Sequence, residues 1–280
     1  MRERFHPLGY PVEIVSGARV VLDIAAKLWG AWPRLFEAAP VQIEVKIHDG
    51  PAPLGPPAFR APRGELRFCS DARNYAHFEE AGRRGSIAIA QSAANGPVFG
   101  HHFLEALTLS ALDAIFFTPL HAACVSRGEV GTLLCGDSGA GKSSLAYGCA
   151  RRGWTLVSDD AVHLAPGPKR MGVGASRVIR LREPGAAATA EQTIEVDAAA
   201  EGLRTRECAR IGPCVFLRRR PGPAAWREID KNAALDYFLK YLFPRDTACA
   251  RRRLREFLDR PALELEYERM EDAADALEAL

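Results

Sequence analysis

Gly136-Asp137-Ser138-Gly139-Ala140-Gly141-Lys142-Ser143-Ser144 decides the reading of this chain. Its first eight residues satisfy the pattern G-x-x-x-x-G-K-[ST] in full, the phosphate-binding loop (Walker A). Each residue type has a physical job there. The glycines let the backbone wrap tightly and turn its N–H groups toward phosphate oxygens. The Lys142 ammonium reaches the β and γ oxygens, and the Ser143 hydroxyl is a hard ligand for Mg²⁺. A helix that starts here adds its positive end to the anion site. The flanks agree with the motif. Val130–Cys135 has the composition of a strand, residues 144–152 read as the helix after it, and Gly153 stands at the position of a left-handed C-cap. ATP is therefore the expected ligand, cradled by residues 136–144.

Working outward, Trp154–Ser158 is the next strand, and it ends in Asp159-Asp160. A right-handed β-α-β crossover makes this strand parallel to Val130–Cys135. Both carboxylates then emerge at the edge of the sheet that holds the phosphate loop, where ligands of α/β sheets sit. Successive residues at a strand's exit point in different directions, so one can face a metal and the other the attacking group.

The phosphate loop, followed by Arg152-Gly153-Trp154-Thr155-Leu156-Val157-Ser158-Asp159-Asp160-Ala161-Val162, resembles the core of HPr kinase/phosphorylase and its relatives. That family also carries a histidine fifteen residues before the first loop glycine, where His121 stands here. The likeness covers residues 121–165. It implies an α/β nucleotide-binding domain of the HPr kinase and phosphoenolpyruvate carboxykinase type, and an ATP- and Mg²⁺-dependent transfer to a serine hydroxyl. By resemblance, Asp159 is the general base, Asp160 joins Ser143 as a metal ligand, and Lys142 and His121 complete the catalytic set. Ser144 replaces the glutamate usual after the loop serine, and no Arg-Gly-Leu-Gly run follows. Thr193–Val196 is only faintly similar to the opening of that run, and Glu195 as a second metal ligand rests on this alone. The pattern is closer to HPr-kinase-like proteins that phosphorylate a precursor-peptide serine than to kinases of HPr itself. Two alternatives stay open: a small-molecule hydroxyl kinase, and a regulatory ATP-binding protein without turnover.

The rest of the chain sets bounds. Its 280 residues are 48% hydrophobic and 26% charged, which excludes a disordered tail, a collagen-like chain and a coiled coil. No apolar stretch approaches the ~20 residues of a membrane span. The start, Met1 to Pro7, lacks the apolar run of a secretory signal. Seven cysteines without C-x-x-C spacing suit a reduced, cytoplasmic protein with no structural zinc. A net charge of +2 argues against a nucleic-acid partner, no membrane partner is expected, and homo-oligomerisation is left open. The charge is segregated, however. Residues 201–255 carry 14 Lys/Arg against 6 Asp/Glu, a net of +8, and residues 256–280 carry 2 against 9, a net of −7. These blocks either pair in the fold or steer an anionic partner. Arg218-Arg219-Arg220 and Arg251-Arg252-Arg253 are the candidates for an arginine at the γ-phosphate.

Upstream, Val41–Ile47 alternates like a half-buried strand, Leu66–Phe68 and Ser86–Ala90 are further strands, and Phe103–Phe117 has helical spacing. Residues 1–115 are thus expected to be an α+β region of unassigned role, and residues 116–280 the kinase-like domain.

Overall fold

The computed structural model describes residues 1–182, 193–242, 247–259 and 262–280. Two compact units result, the first ending at Phe117 and the second starting at Thr118.

The first unit is α+β. Its strands are β1 (Arg2–Phe5), β2 (Val12–Ser16), β3 (Val41–His48), β4 (Ala58–Arg60), β5 (Glu65–Cys69), β6 (Tyr75–Glu79) and β7 (Arg84–Ala90). They form one mixed sheet in the order β1-β2-β3-β7-β6-β5-β4, with β2, β3 and β7 mutually parallel. The alternation read from the sequence is the reason for β3. Val41, Ile43 and Val45 are buried while Glu44 and Lys46 reach solvent. Helix α1 (Arg19–Trp29) and α2 (Ala106–Ile115) accompany the sheet. The expected helix at 103–117 begins earlier. A π-helical segment, Val98–Glu105, leads into α2, and the helix stops at Ile115, short of Phe117.

The second unit is α/β and holds the phosphate loop. Its strands are β8 (Thr118–His121), β9 (Ala123–Arg127), β10 (Val130–Cys135), β11 (Thr155–Ser158), β12 (Ala161–Leu164) and β13 (Met171–Gly174). There follow β14 (Val178–Arg182), β15 (Thr193–Asp197), β16 (Cys208–Arg219), β17 (Ala225–Ile229) and β18 (Ala262–Tyr267). The helices are α3 (Lys142–Arg151), α4 (Lys231–Lys240), α5 (Thr247–Phe257) and α6 (Met270–Glu278). The main sheet runs β11-β9-β10-β16-β13-β12-β8, and β18 pairs with both β16 and β17. Strands β14 and β15 make a separate two-stranded ribbon.

The expected β-α-β crossover is present, with β9 inserted. Strand β9 runs antiparallel to both β10 and β11, which makes those two parallel. On its other side β10 pairs in parallel with β16. Both faces of this centre are covered, which explains its unbroken apolar runs. Leu133 and Cys135 face a cluster with Phe238 of α4 and Leu254 and Phe257 of α5. Leu134, one step out of phase, faces Leu145 and Cys149 of α3 and Leu277 of α6. Cys135 and Cys149 pack as small apolar groups, and burial pushes both thiols up in pKa. None of the described helices is long and apolar enough to cross a membrane.

The segregated charge is partly neutralised inside this sheet. Arg218 on β16 pairs with Glu264 on β18 at 3.5 Å. Glu266 lies between Arg220 at 3.2 Å and Arg227 at 2.9 Å.

Candidate functional site

Strand β10 delivers the chain into the phosphate loop and α3 carries it away. Gly136, Gly139 and Gly141 have φ of +141°, +88° and +98°, values that L side chains rarely adopt. Space is as restrictive as torsion. A Cβ on Gly141 would lie 2.2 Å from the Tyr267 hydroxyl, and one on Gly136 2.8 Å from the Ala140 Cβ. Gly141→Ala is therefore expected to push the loop off Tyr267 and weaken MgATP binding by at least ~10-fold, a loss of about 1.4 kcal/mol. Equilibrium titration with MgATP checks it, with circular dichroism to confirm that the fold survives.

Elements distant in sequence hold the loop. The Tyr267 hydroxyl donates to the Ala140 carbonyl at 2.5 Å. The Asp137 carboxylate accepts from Lys240 Nζ and from the Tyr241 hydroxyl, both at 2.8 Å. Those two bonds hold the Asp137 carboxyl below its ordinary pKa. Lys142 is turned inward. Its Nζ donates to the carbonyl of Gly136 at 2.7 Å and is 3.4 Å from that of Asp137. Burial lowers its pKa, while the charges of Asp160, Asp159 and Asp137 oppose that shift. The Ala140 N–H is bonded to the Asp137 carbonyl at 3.0 Å, so it is already engaged within the loop.

Asp159 and Asp160 have different surroundings. Strand β11 ends at Ser158, whose hydroxyl closes the following turn onto the Ala161 carbonyl at 2.6 Å. Asp159 is left inside, only 2% exposed, with Oδ2 accepting the Arg180 N–H from β14 at 2.9 Å. The Ser143 hydroxyl also bonds its carboxylate. Its Oδ1 is buried with no hydrogen-bond partner. Burial raises the Asp159 pKa; the Arg180 and Ser143 bonds pull it back, and the neighbouring Asp160 charge adds to the rise. Asp160 is the open one, its side chain 59% exposed and its Oδ1 3.4 Å from His121 Nδ1.

That distribution differs from the expected one. The sequence reading pairs Ser143 with Asp160, whereas the fold brings Ser143 to Asp159 and leaves Asp160 beside His121. The cause is the covering ribbon, whose backbone claims the first carboxylate and buries it. His121 arrives because β8 pairs with β12, setting His121 opposite Ala161. Its ring lies against Tyr241 with centroids 4.4 Å apart. Burial and the Lys142 charge lower the His121 pKa, against Asp160 and Asp137.

A divalent cation fits the residues present. A serine hydroxyl and a buried carboxylate with an orphaned oxygen are hard donors. Among the described residues no three His, Cys, Asp or Glu side chains converge as a metal cage. A small cation here would thus depend on one carboxylate, a hydroxyl and substrate phosphates, the usual manner of Mg²⁺.

Several contributors escaped the sequence reading: Tyr237 and Lys240 on α4, Tyr241 at its C-terminal cap, Tyr267 on β18, and Arg180 on β14. Tyr237 and Tyr241, four apart at the C-terminal end of α4, were the available signal. Of the arginine candidates, Arg218 and Arg220 are paired with β18 glutamates. Arg219 instead places its guanidinium 5.8 Å from the Tyr267 ring centre and bonds that side chain, which itself grips the loop. Arg251, Arg252 and Arg253 lie on α5. Glu195 pairs with Arg180 at 3.1 Å.

Residues 116–180 match the family model of the HPr serine kinase C-terminal domain. HPr kinase/phosphorylases of Limosilactobacillus reuteri, from strain DSM 20016 and from subsp. reuteri strain JCM 1112, are each 35% identical to this chain over 74 residues. The match covers 24% of this chain and 23% of each relative's length. The HPr(Ser) kinase/phosphatase of Coxiella burnetii superposes with a TM-score of 0.35 at 15% identity, over 57% of this chain and 90% of that one. The segment that holds the phosphate loop, His121 and both carboxylates is HPr-kinase-like.

Proposed function

From that HPr-kinase-like segment we propose that the chain is a cytoplasmic, Mg-ATP-dependent phosphotransferase that moves the γ-phosphoryl of ATP to a hydroxyl, in the first place a serine of a protein or precursor peptide. The observation that carries this reading is the meeting of an exposed carboxylate and an imidazole, Asp160 and His121, with the Lys142 end of a phosphate loop.

The phosphate loop binds and orients. Loop N–H groups and the Lys142 ammonium hold the phosphates in a fixed cradle, so that most of the catalysis is positioning and charge stabilisation. When bound, Mg²⁺ offsets phosphate charge, and Ser143 and Asp159 are the residues that would hold it. Asp160 faces outward and accepts the proton of the attacking hydroxyl. The acceptor oxygen forms its bond to the γ-phosphorus as the bond to the bridging oxygen breaks, and ADP leaves. His121 aligns the Asp160 carboxylate and is itself aligned by Tyr241. The roles of Asp159 and Asp160 are thus exchanged relative to the resemblance, because Asp159 is 2% exposed and bonded to Arg180 and Ser143, whereas the Asp160 side chain is open.

The test is to incubate the chain with γ-labelled ATP, Mg²⁺ and candidate acceptors. Label in a protein or peptide serine supports the proposal. Label in a metabolite makes it a small-molecule kinase, and bound but uncleaved ATP makes it a regulatory nucleotide-binding protein.

A further inference from the structure

Tyr237 projects from α4 between β8 and the start of the phosphate loop. Its ring packs edge-on against Phe216, with centroids 5.1 Å apart. Its hydroxyl meets three backbone groups. It accepts the Gly136 N–H at 2.9 Å, and it lies 2.8 Å from the Gly136 carbonyl and 2.9 Å from the His121 carbonyl. Both the amide and the carbonyl of the first loop glycine are thus held by one side chain. The same oxygen atom reaches the backbone of the histidine on the acceptor side.

The Gly136 carbonyl has a second donor, Lys142 Nζ at 2.7 Å. In the free protein the lysine is therefore engaged with the loop it is meant to serve. A bound polyphosphate draws the ammonium away, and a buried carbonyl abandoned in this way weakens binding unless another donor stays. Tyr237 is placed to be that donor. Burial raises its phenol pKa, so it keeps its proton across the range in which the protein works.

We propose that Tyr237 is a positioning residue of the phosphotransfer site. Its oxygen keeps the Gly136 N–H, and its one proton, shared between the Gly136 and His121 carbonyls, holds the loop to the strand that carries His121 while Lys142 changes partner from loop carbonyl to phosphate. This rests on the phosphotransfer reading given above.

Tyr237→Phe removes the hydroxyl and keeps the packed ring. In the full chain the dissociation constants for MgATP and MgADP are expected to rise about tenfold. The added thermal stability conferred by saturating MgATP shrinks accordingly, while the melting temperature of the nucleotide-free chain moves by only about 5 °C. Transfer at saturating nucleotide falls as well, through the loosened His121 strand. A hydroxyl that merely satisfied backbone groups in the fold would move the melting temperature alone. Equal MgATP affinity in the folded variant and the unaltered chain overturns the role of Tyr237 and leaves the phosphotransfer reading standing. No MgATP binding by the unaltered chain overturns both. Should the variant unfold, hydrogen exchange on the unaltered chain decides. The Gly136 amide is expected to stay protected with and without MgATP, and exchange at the rate of an open amide in either state overturns the proposal.

Discussion

Lys142→Ala is expected to abolish MgATP binding. The ammonium is buried beside Asp159, Asp160 and Asp137, and no other described lysine projects from the loop. A charge-assisted hydrogen bond contributes roughly 1.5–3 kcal/mol, and a lysine shared between two phosphates makes more than one. Affinity should fall by at least ~100-fold, or about 2.7 kcal/mol. Titration calorimetry with MgATP reads this directly. The fold should survive, because Tyr237 still serves the Gly136 carbonyl that Lys142 leaves. Binding within ~3-fold of the unaltered chain would show that the loop does not hold phosphate through this residue.

Asp160→Asn and Asp159→Asn form the second test, and they separate the two carboxylates. Removing the base at position 160 is expected to lower transfer by about 10²–10⁴-fold with MgATP affinity little changed. Removing the charge at position 159 should instead weaken MgATP binding through loss of the cation. It should also stabilise the metal-free chain at neutral pH. The sign follows from burial. Asp159 has its pKa raised in the fold, so the protonated form is favoured there. Its contribution to stability is full below the unfolded value of about 3.9 and is lost as pH rises through the folded value. At pH 7 the unaltered chain keeps a buried charge with an orphaned oxygen, and the asparagine variant does not. Thermal melting in chelator at pH 7 and at acidic pH measures the difference, which should vanish in acid. If Asp160→Asn transfers normally while Asp159→Asn binds MgATP and fails to transfer, the two roles return to the assignment of the resemblance.

The phosphate loop was legible because everything that makes it is local. The glycines, the lysine and the strand and helix on either side occupy one continuous stretch, and β10 and α3 follow from it. Strand β3 was legible for the same reason, since its alternation depends on its own sequence alone. The distribution of duties between Asp159 and Asp160 was not. Adjacent residues at a strand's exit are equivalent in sequence, and what separates them is a ribbon, β14 and β15, that takes one of them with a backbone N–H. Tyr237 was equally invisible. A tyrosine on an amphipathic helix is ordinarily core, and only the packing of α4 beside β8 turns its hydroxyl into a contact with the loop. The charge blocks left two alternatives open, and the pairs across β16, β17 and β18 show that part of the positive block is answered within the fold. In the first unit the helix was recognised but its π-helical entry was not, because apolar spacing alone does not report a local widening of the backbone.

Tyr267 has a bearing on when the site can exist at all. It grips Ala140 from 127 positions further along the chain, on a strand that completes the sheet between β16 and β17. A ribosome adding about 5–20 residues per second would release the phosphate loop several seconds before its clamp. Until β18 is made, Cys214–Arg219 of β16 lack their β18 partner and Gly141 has no Tyr267 hydroxyl beside it. A nascent chain halted before residue 262 therefore carries the whole phosphate-loop motif without the hydroxyl that grips Ala140 in the finished fold.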